Sequence, residues 1–345
     1  MTRRFSLVTL TLWLVAAVVI GAMILGSVLT LLDGRFTITQ WRDLIINGLA
    51  LGAVYALIAL GYTLVYGILF MINFAHGEVF MAGAFTAYFA ADGLADAGIL
   101  DSNPIFALAV IFAVAMLTSM IIAVLLERIA YRKLRNAPRL VPLITAIGAS
   151  LFLQYAFRGL YGSGVRSYPN VAILDGTFDI GGIPFRATQL MVIFSAIALM
   201  IGLWYLINRT RTGRAMRAVS EDRDTAALMG INVDATIVRT FAIGGLLAGA
   251  AGVLYALIFS QVFFLMGFIP GIKAFTAAVL GGIGNIGGAV LGGFSLGILE
   301  QVGPNLFLTG YGIPGANQLR DGIAFAVLVI VLIIRPTGIL GRKES

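Results

Sequence analysis

The sequence predicts an all-α protein that crosses a lipid bilayer many times. Of its 345 residues, 60% are hydrophobic and 11% are charged, whereas soluble domains carry about 25% charged residues. The apolar residues fall into runs long enough for an α-helix to cross about 30 Å of hydrocarbon. Lipid cannot pair free backbone groups, and the alternating pattern of a β-barrel is absent, so helices are the expected spanning elements.

Eight apolar runs are candidate transmembrane helices. The first, from Leu7 to Leu32, follows a short basic start but is too long for the core of a signal peptide and lacks a cleavage site between small residues. We therefore expect it to be an uncleaved span. The other runs cover approximately residues 44–66, 69–91, 104–126, 141–161, 188–207, 237–260 and 321–334.

A glycine-rich segment, residues 273–300, does not fit a single crossing. One crossing would place the basic C-terminal tail outside the cell, against the positive-inside rule. Its centre, "GGIGNIGG", favours a break because glycine destabilises a helix interior and permits tight turns. We expect a hairpin of two short helices that enters and returns on the outer side, beside about eight transmembrane helices. The alternative count of ten spans, two of them short, gives the same sidedness.

The positions of Lys and Arg predict which loops face the cytoplasm. Basic residues concentrate at Arg3 and Arg4, in residues 127–139 and 208–223, and in the tail 335–345. The opposite loops, residues 92–103 and 161–186, are acidic or mixed in charge. Both termini are therefore expected to be cytoplasmic. The net charge of +7 is explained by this bias, and no nucleic-acid partner is expected.

Composition also limits the chemistry of the chain. It has no cysteine and one histidine, which excludes disulfides, thiolate catalysis and a zinc cluster of these residues. Residues Gly282 to Gly287 match the G-x-G-x-x-G nucleotide fingerprint, but that motif requires a βαβ unit, so close helix packing and a turn are expected instead. The chain has neither a P-loop motif nor a catalytic triad. We therefore expect no catalytic residue, metal or cofactor on this chain, and any ATP must bind to another polypeptide.

Polar side chains inside apolar spans mark either a transport pathway or a structural hydrogen bond, because they are costly in lipid. The candidates are Asn47, Asn73, His76, Glu78, Gln154, Arg158, Gln261 and Asn285. Three of them fall in the short stretch "INFAHGE". For each residue taken singly, a structural hydrogen bond explains the sequence at least as well as a role in transport.

The long polar segment 208–239 is a further candidate site. Contact with anionic lipid headgroups would explain its arginines, but not the acidic cluster of Glu221, Asp222 and Asp224 that follows them. The residues from Ala226 to Met229 favour a short helix that Gly230 ends. This pattern is typical of a surface that docks on a partner.

Four segments resemble the LivH-type permeases of bacterial branched-chain amino acid ABC importers. They are "NGLALGAVYALIALGYTLVYGILFMINFAHGEVFMAGAF" (47–85), "RTGRAMRAVSEDRDTAALMGIN" (211–232), "KAFTAAVLGGIGNIGGAVLGGF" (273–294) and "RPTGILGR" (335–342). The resemblance begins near residue 40. It implies that residues 1–40 are an extra N-terminal span with a short extracytoplasmic linker, and that residues 41–345 form the permease domain.

The resemblance implies an ABC importer permease fold in the bacterial inner membrane. The implied partners are a second, LivM-like permease, two ABC ATPases that bind ATP and Mg, and an extracytoplasmic substrate-binding protein. Within a coupling loop at 208–238, the residues implied to seat in an ATPase cleft are Glu221, Asp222, Asp224, Ala226, Ala227 and Gly230. The match to the importer signature E-A-A-x-x-x-G is imperfect, because Asp224 and Thr225 precede the alanines and Gly230 comes one residue early.

The hypothesis for the pathway concerns the ends of broken helices. Asn73, His76 and Glu78 are expected to cap and cross-link helix ends that line its inner part, or else only to hold the bend together. Asn285, in the glycine-rich break, is a further pathway or gate residue.

The leading interpretation is therefore inward transport of branched-chain or other neutral amino acids, powered by partner ATPases. Related permeases serve urea, short amides and polar or acidic amino acids, and specificity is expected to lie mainly in the binding protein. An ion-coupled secondary carrier is the alternative from another class, disfavoured by the lack of inverted repeats and the scarcity of carboxylates at mid-membrane. A membrane-embedded enzyme is the weakest alternative.

Overall fold

A computed structural model of the protein describes residues 7–135, 137–138, 140–313, 315–335 and 337–341. These residues form a helical bundle with two small strand pairs. The helices are α1 (Leu7–Leu32), α2 (Ile38–Leu69), α3 (His76–Asp96), α4 (Ile99–Ser102), α5 (Pro104–Leu126), α6 (Leu140–Tyr161), α7 (Ala187–Arg209), α8 (Arg211–Glu221), α9 (Arg223–Leu228), α10 (Val233–Phe259), α11 (Phe268–Gly281), α12 (Ile286–Leu308) and α13 (Arg320–Ile334).

The strands are short and antiparallel. They are β1 (Arg166–Ser167), β2 (Thr177–Ile180), β3 (Ile183–Arg186) and β4 (Gln261–Val262), of which β1 pairs with β4 and β2 with β3. The first pair joins the loop before α7 to the end of α10, and defines what we call the strand end of the bundle. The opposite end carries α8 and α9 and is called the α9 end.

Eight helices in the described part of the chain are long and apolar enough to cross a membrane, which confirms the predicted all-α polytopic fold. The run predicted at 69–91 is not one of these eight helices, whose number is completed by α12, and α3 begins only at His76. Phe70 adopts a left-handed conformation with φ of 54° and ends α2, so the next residues form a bend. Arg3, Arg4, Arg139 and residues 342–345, which entered the prediction of sidedness, lie outside the described residues.

The glycine-rich hairpin is confirmed, but its arms are unequal. The first arm, α11, has 14 residues, whereas α12 has 23 residues and is long enough to span the membrane. Gly282 and Gly284 form the turn with φ of +105° and +89°, which L side chains rarely adopt. The expectation of two short arms therefore holds only for α11. Counted with α3 and α11, the eight membrane-length helices of the described residues make ten segments, the number of the alternative count.

The core forms around α2, which is buried along most of its length from Ile46 onward. It packs antiparallel to α12 through small residues, and Gly48 and Gly52 on α2 face Gly293 and Gly297 on α12 so closely that a Cβ on any of them would meet backbone atoms. Such contacts let helix backbones approach where lipid supplies no hydrophobic driving force. Gly282 and Gly284 of the sequence that imitates a nucleotide fingerprint thus serve a turn, as predicted, whereas the close helix packing is made by Gly293 and Gly297 further along α12.

The first helix is attached to the end of α12. The Tyr311 hydroxyl donates to the Ala22 carbonyl at 2.7 Å, and the Gly310 amide donates to the Thr30 hydroxyl at 2.8 Å. Gly26 fits closely against the backbone of Phe307. Helix α1 is therefore held at the strand end by polar bonds as well as by apolar contact.

Candidate functional site

The bend between α2 and α3 lies inside the bundle. His76 follows the bend and is the first residue of α3. The imidazole ring of His76 lies against Gly61 of α2. Gly61 precedes Leu69, the end of α2, by eight residues, or about 12 Å along a helix axis. The chain therefore leaves α2 at the α9 end and turns back toward the middle of the bundle, to the level of Gly61, before α3 begins. Helix α3 thus starts within the bundle, and its first turn has no side-chain cap, since its N-cap residue is Ala75.

Asn73 fastens this bend to the end of α5. Its Oδ1 accepts a hydrogen bond of 2.6 Å from the Tyr131 hydroxyl, and its backbone carbonyl accepts the His76 amide at 3.0 Å. Tyr131 is fully buried in a π-helical turn, Glu127–Tyr131, of a kind often found at functional sites. Asn73 therefore connects two helix ends, the turn that ends at Tyr131 and the start of α3, by hydrogen bonds.

His76 is held mainly by packing. It is buried, and its ring lies edge-on to Tyr62 with the centroids 4.9 Å apart. Its Nε2 has no hydrogen-bond partner among the described residues. A Cβ at Gly61 would collide with the imidazole, so the glycine is what makes room for the ring. This nitrogen supplies no cross-link in this conformation.

Glu78 joins α3 to α6. Its Oε1 accepts 2.6 Å and 3.2 Å hydrogen bonds from Gln154 and Ser150, both on α6. Its Oε2 has no hydrogen-bond partner within the described chain and lies beside Gly267, immediately before α11. Gly77 and Gly267 are in backbone contact. The starts of two helices, α3 and α11, therefore meet at this buried carboxyl group.

Asn285 lies at a different place, the turn between α11 and α12. Its side chain accepts from the Gly288 amide at 3.0 Å, which caps α12, and donates to the Leu340 carbonyl at 3.0 Å. The amides of Ile339 and Leu340 donate to the end of α11 at 2.8 and 2.9 Å. The tail motif predicted from sequence thus closes this turn. Asn73, His76 and Glu78 share one bend, but Asn285 does not belong to it.

The other polar residues singled out in the sequence have local partners. Asn47 accepts a 2.7 Å hydrogen bond from Gln189 at the strand end. The Arg158 guanidinium lies 5.5 Å from the centroid of the Phe264 ring, and Gln261 is exposed on β4. The contacts of Asn47 and Arg158 support structural interpretations for these two side chains, and Gln261 lies at the surface of the bundle.

Sequence reasoning missed a charged cluster buried between α2, α11, α12 and α13. Lys273 Nζ lies 2.8 Å from Glu300 Oε1 and 2.7 Å from Asp321 Oδ1, and the Tyr55 hydroxyl donates to Glu300 Oε2 at 2.9 Å. Lys273 and Glu300 are 5% and 3% exposed. The assumption that the spans contain few carboxylates overlooked Glu300. Lys273 and Glu300 are the first and last residues of the predicted hairpin, and opposite charges at its two ends were the signal that could have revealed the pair.

The polar segment predicted to dock on a partner contains the two short helices α8 and α9. The inner face of α8 buries Gly213, Met216 and Val219. Asp222 caps α9 by accepting from the amides of Asp224 and Thr225 at 2.8 and 3.0 Å. The predicted end at Gly230 is confirmed, since this residue has φ of +81°. The acidic residue Asp222 is therefore engaged in building the helix.

The hydrogen bonds from Thr225 lower the pKa of the Asp222 carboxyl group below its ordinary value. Because this pKa is lowered, the cap is at full strength above the unfolded pKa of about 3.9 and weakens as the pH falls through the lower folded value. The carboxylate therefore stays charged at neutral pH. The α9 cap should not vary over the physiological range.

The tip of α9 is apolar and exposed. Leu228 and Met229 are 87% and 78% exposed, whereas Ala226 is buried. At the other end of α9, the Arg223 guanidinium donates to the Ile68 carbonyl at 2.5 and 3.2 Å. This bond ties α9 to the last turn of α2, next to the bend. Glu221, Asp224, Ala227 and Gly230 are exposed.

Comparison with known proteins agrees with this architecture. The family model for the permease component of branched-chain amino acid transport systems matches residues 44–332. The chain is 45% identical over 312 residues to the high-affinity branched-chain amino acid transport system permease protein BraD of Pseudomonas aeruginosa, covering 89% of this chain and 98% of that protein.

It is 42% identical over 303 residues to the permease protein LivH of Salmonella typhimurium and 41% identical over 303 residues to LivH of Escherichia coli, in each case over 86% of this chain and 94% of the relative. No solved structure matches the chain. The resemblance to LivH-type permeases is therefore confirmed: the chain belongs to the family of permease components of branched-chain amino acid transport systems.

Proposed function

We propose that this chain forms half of the translocation pathway of an ATP-driven importer for branched-chain amino acids. A second, LivM-like permease forms the other half, two ABC ATPases bind ATP and Mg, and an extracytoplasmic binding protein delivers the ligand. The single observation that carries the proposal is the α9 helix, with an exposed apolar tip and a bond from Arg223 to the end of α2. No ATP or metal site is assigned to this chain.

The α9 helix suits docking into a partner's cleft. Leu228 and Met229 expose apolar surface to water, and burial of this surface by a protein partner would be favourable. Helix α9 carries the predicted residues Asp224, Ala226 and Ala227, but its contact with the ATPase is assigned to the apolar tip. Glu221 and Gly230 flank that surface on the same side of the membrane.

Motion of α9 would reach the pathway through the bend. Arg223 holds the Ile68 carbonyl, two residues before Phe70, whose left-handed backbone ends α2. Displacement of α9 would pull on this junction and hence on Asn73, which is bonded to Tyr131. We assign Asn73, His76 and Glu78 to holding this moving bend, and Asn285 to holding the α11–α12 turn that moves with it.

The proposed sidedness places the α9 end and both termini in the cytoplasm of a bacterial inner membrane. Four arginines, Arg209, Arg211, Arg214 and Arg217, lie at this end, in agreement with the positive-inside rule. Because the native chain has no cysteine, single introduced cysteines can be labelled selectively. In intact cells, an impermeant thiol reagent should label S102C and leave S220C and S345C unlabelled; labelling of S345C would reverse the map.

The function is tested by reconstituting the chain with its genomic-neighbour permease, ATPases and binding protein in vesicles. Uptake of radiolabelled leucine should require internal ATP and should be competed by isoleucine and valine more than by urea, short amides or glutamate. Leu228→Asp with Met229→Asp should abolish ATPase association, whereas Arg214→Gln, an exposed position on α8, should not. Uptake driven by an ion gradient without ATP would overturn the proposal in favour of a secondary carrier.

A further inference from the structure

A cavity of about 540 Å³ opens at the strand end of the bundle. It lies between the third and fourth turns of α2, the first turn of α7, the last turn of α10, Gln301 of α12, the start of α13 and the loop that carries β2. The volume falls within the roughly 300–1,000 Å³ of sites for small ligands. Under the proposed sidedness, this cavity faces the compartment from which an importer receives its substrate.

The walls of the cavity divide into an apolar part and a charged part. Leu51, Leu257 and Ile258 supply aliphatic surface. Asp175, Arg186 and Arg320 supply one anionic and two cationic groups. A branched-chain amino acid has the same division, since its side chain is aliphatic and its other end carries an ammonium and a carboxylate group.

The cavity lies directly above the buried charged cluster. Tyr55 follows Leu51 by one helical turn on α2, and Glu300 and Asp321 are the sequence neighbours of Gln301 and Arg320, both of which line the cavity. The cluster joins α2, α11, α12 and α13 beneath the floor. It contains one lysine and two carboxylates.

We propose that this cavity is an outer binding site for a branched-chain amino acid released by the binding protein. The aliphatic side chain packs on Leu51, Leu257 and Ile258, the carboxylate binds Arg320 or Arg186, and the ammonium group lies on the side of Asp175. The inference rests on the proposed function and extends it to a site on this chain. The ion-paired cluster closes the path below the bound amino acid.

The experiment uses two variants of the cavity wall with matched controls. Thr177→Trp fills the cavity from β2, and Phe178→Trp is its control, because successive strand side chains point to opposite faces and Phe178 does not line the cavity. Arg320→Gln removes a cation from the wall. Its control is Arg42→Gln, at the same end of the bundle but paired with Asp43 outside the cavity.

Two measurements are made on the complete reconstituted complex. The first is leucine uptake at increasing concentrations of leucine-loaded binding protein. The second is direct binding of radiolabelled leucine to the permease and ATPase complex without binding protein. Arg320→Gln should weaken leucine binding and lower uptake efficiency by about tenfold, the effect of losing one charge-assisted contact. Thr177→Trp should lower both at least as much, because the indole occupies space that the ligand needs. The controls should remain within about twofold of wild type, as surface changes usually do.

The outcomes separate this inference from the proposed function. If the wild-type complex takes up leucine and both cavity variants match the controls, the site is wrong and the function stands. If Thr177→Trp weakens docking of the binding protein but leaves leucine binding intact, the cavity is a protein-docking surface and the inference is overturned. If the wild-type complex transports no branched-chain amino acid, the proposed function itself fails.

Discussion

Replacing Lys273 alone should destabilise the protein more than replacing Lys273 and Glu300 together. Lys273→Met keeps a side chain of similar length but removes the charge that Glu300 and Asp321 share. Among the described residues, the Tyr55 hydroxyl would then be the remaining partner of the Glu300 carboxylate. A carboxylate buried at 3% exposure with one neutral donor is poorly compensated.

The size of the loss in unfolding free energy follows from the burial of the Glu300 carboxylate. Removing one member of a buried ion pair costs about 3–5 kcal/mol, because the other charge stays desolvated. The Asp321 side chain is 45% exposed, so its pairing with Lys273 counts as a surface contact of about 0–1 kcal/mol. Most of the loss in K273M therefore comes from Glu300. Replacing both Lys273 and Glu300 by methionine removes both buried charges, a change that is often neutral or stabilising.

The assay is reversible unfolding in mixed micelles of a mild and a denaturing detergent, followed by tryptophan fluorescence. K273M should lower the free energy of unfolding by about 3 kcal/mol or more, and the double variant should recover most of that loss. Lys133→Met, at an exposed position, controls for loss of a lysine, and Asp321→Asn should cost less than about 1 kcal/mol. A K273M protein within about 1 kcal/mol of wild type, or a double variant no more stable than K273M, would refute the reasoning.

Two further predictions concern the bend and its link to α9. Gly61→Ala should lower the free energy of unfolding by about 1–3 kcal/mol through overpacking, because the new methyl group meets the His76 ring. In the same unfolding assay, the double variant with His76→Ala should lose less stability than the sum of the two single variants. Strict additivity of the two losses would contradict this contact. Arg223→Gln should leave ATPase association intact but reduce leucine uptake per ATP hydrolysed, since the bond to Ile68 is lost. Arg214→Gln serves as its control, and an unchanged uptake-to-hydrolysis ratio in Arg223→Gln would exclude the link.

The parts of the fold that sequence predicts are those governed by contact with lipid. The length of an apolar run and the position of basic residues follow from the thickness and polarity of the bilayer, so most spans were predicted within a few residues. The end of a helix inside the bundle is determined by contacts with other helices, not by contact with lipid. The bend after Phe70 depends on the small residue Gly61 within α2 and on Tyr131 and Arg223, which are distant in sequence. The periodicity of apolar residues does not reveal these contacts.

The same distinction applies to the candidate site. The composition of the stretch around His76 predicted a special bend, but the partner of each side chain required three-dimensional contacts. Lys273 and Glu300 marked the edges of a predicted hairpin and were interpreted as its limits, although a fold that brings them to 2.8 Å makes them a buried pair. Leu228 and Met229 were placed in the short helix of a predicted docking surface, but not as its exposed apolar tip, since their exposure depends on the tertiary position of α9.

Helix α1 and the segment around Leu340 contact opposite ends of α12, and this constrains the order in which the protein can assemble. Helix α1 is made before α2 to α12, yet its bonds from Gly310 and Tyr311 become available only after all of those helices have been made. The turn at Asn285 is closed by Leu340, which follows it by 55 residues. A partly synthesised chain therefore holds α1 and the α11–α12 hairpin without their final partners. These contacts form only after the segments that contain Tyr311 and Leu340 have been made.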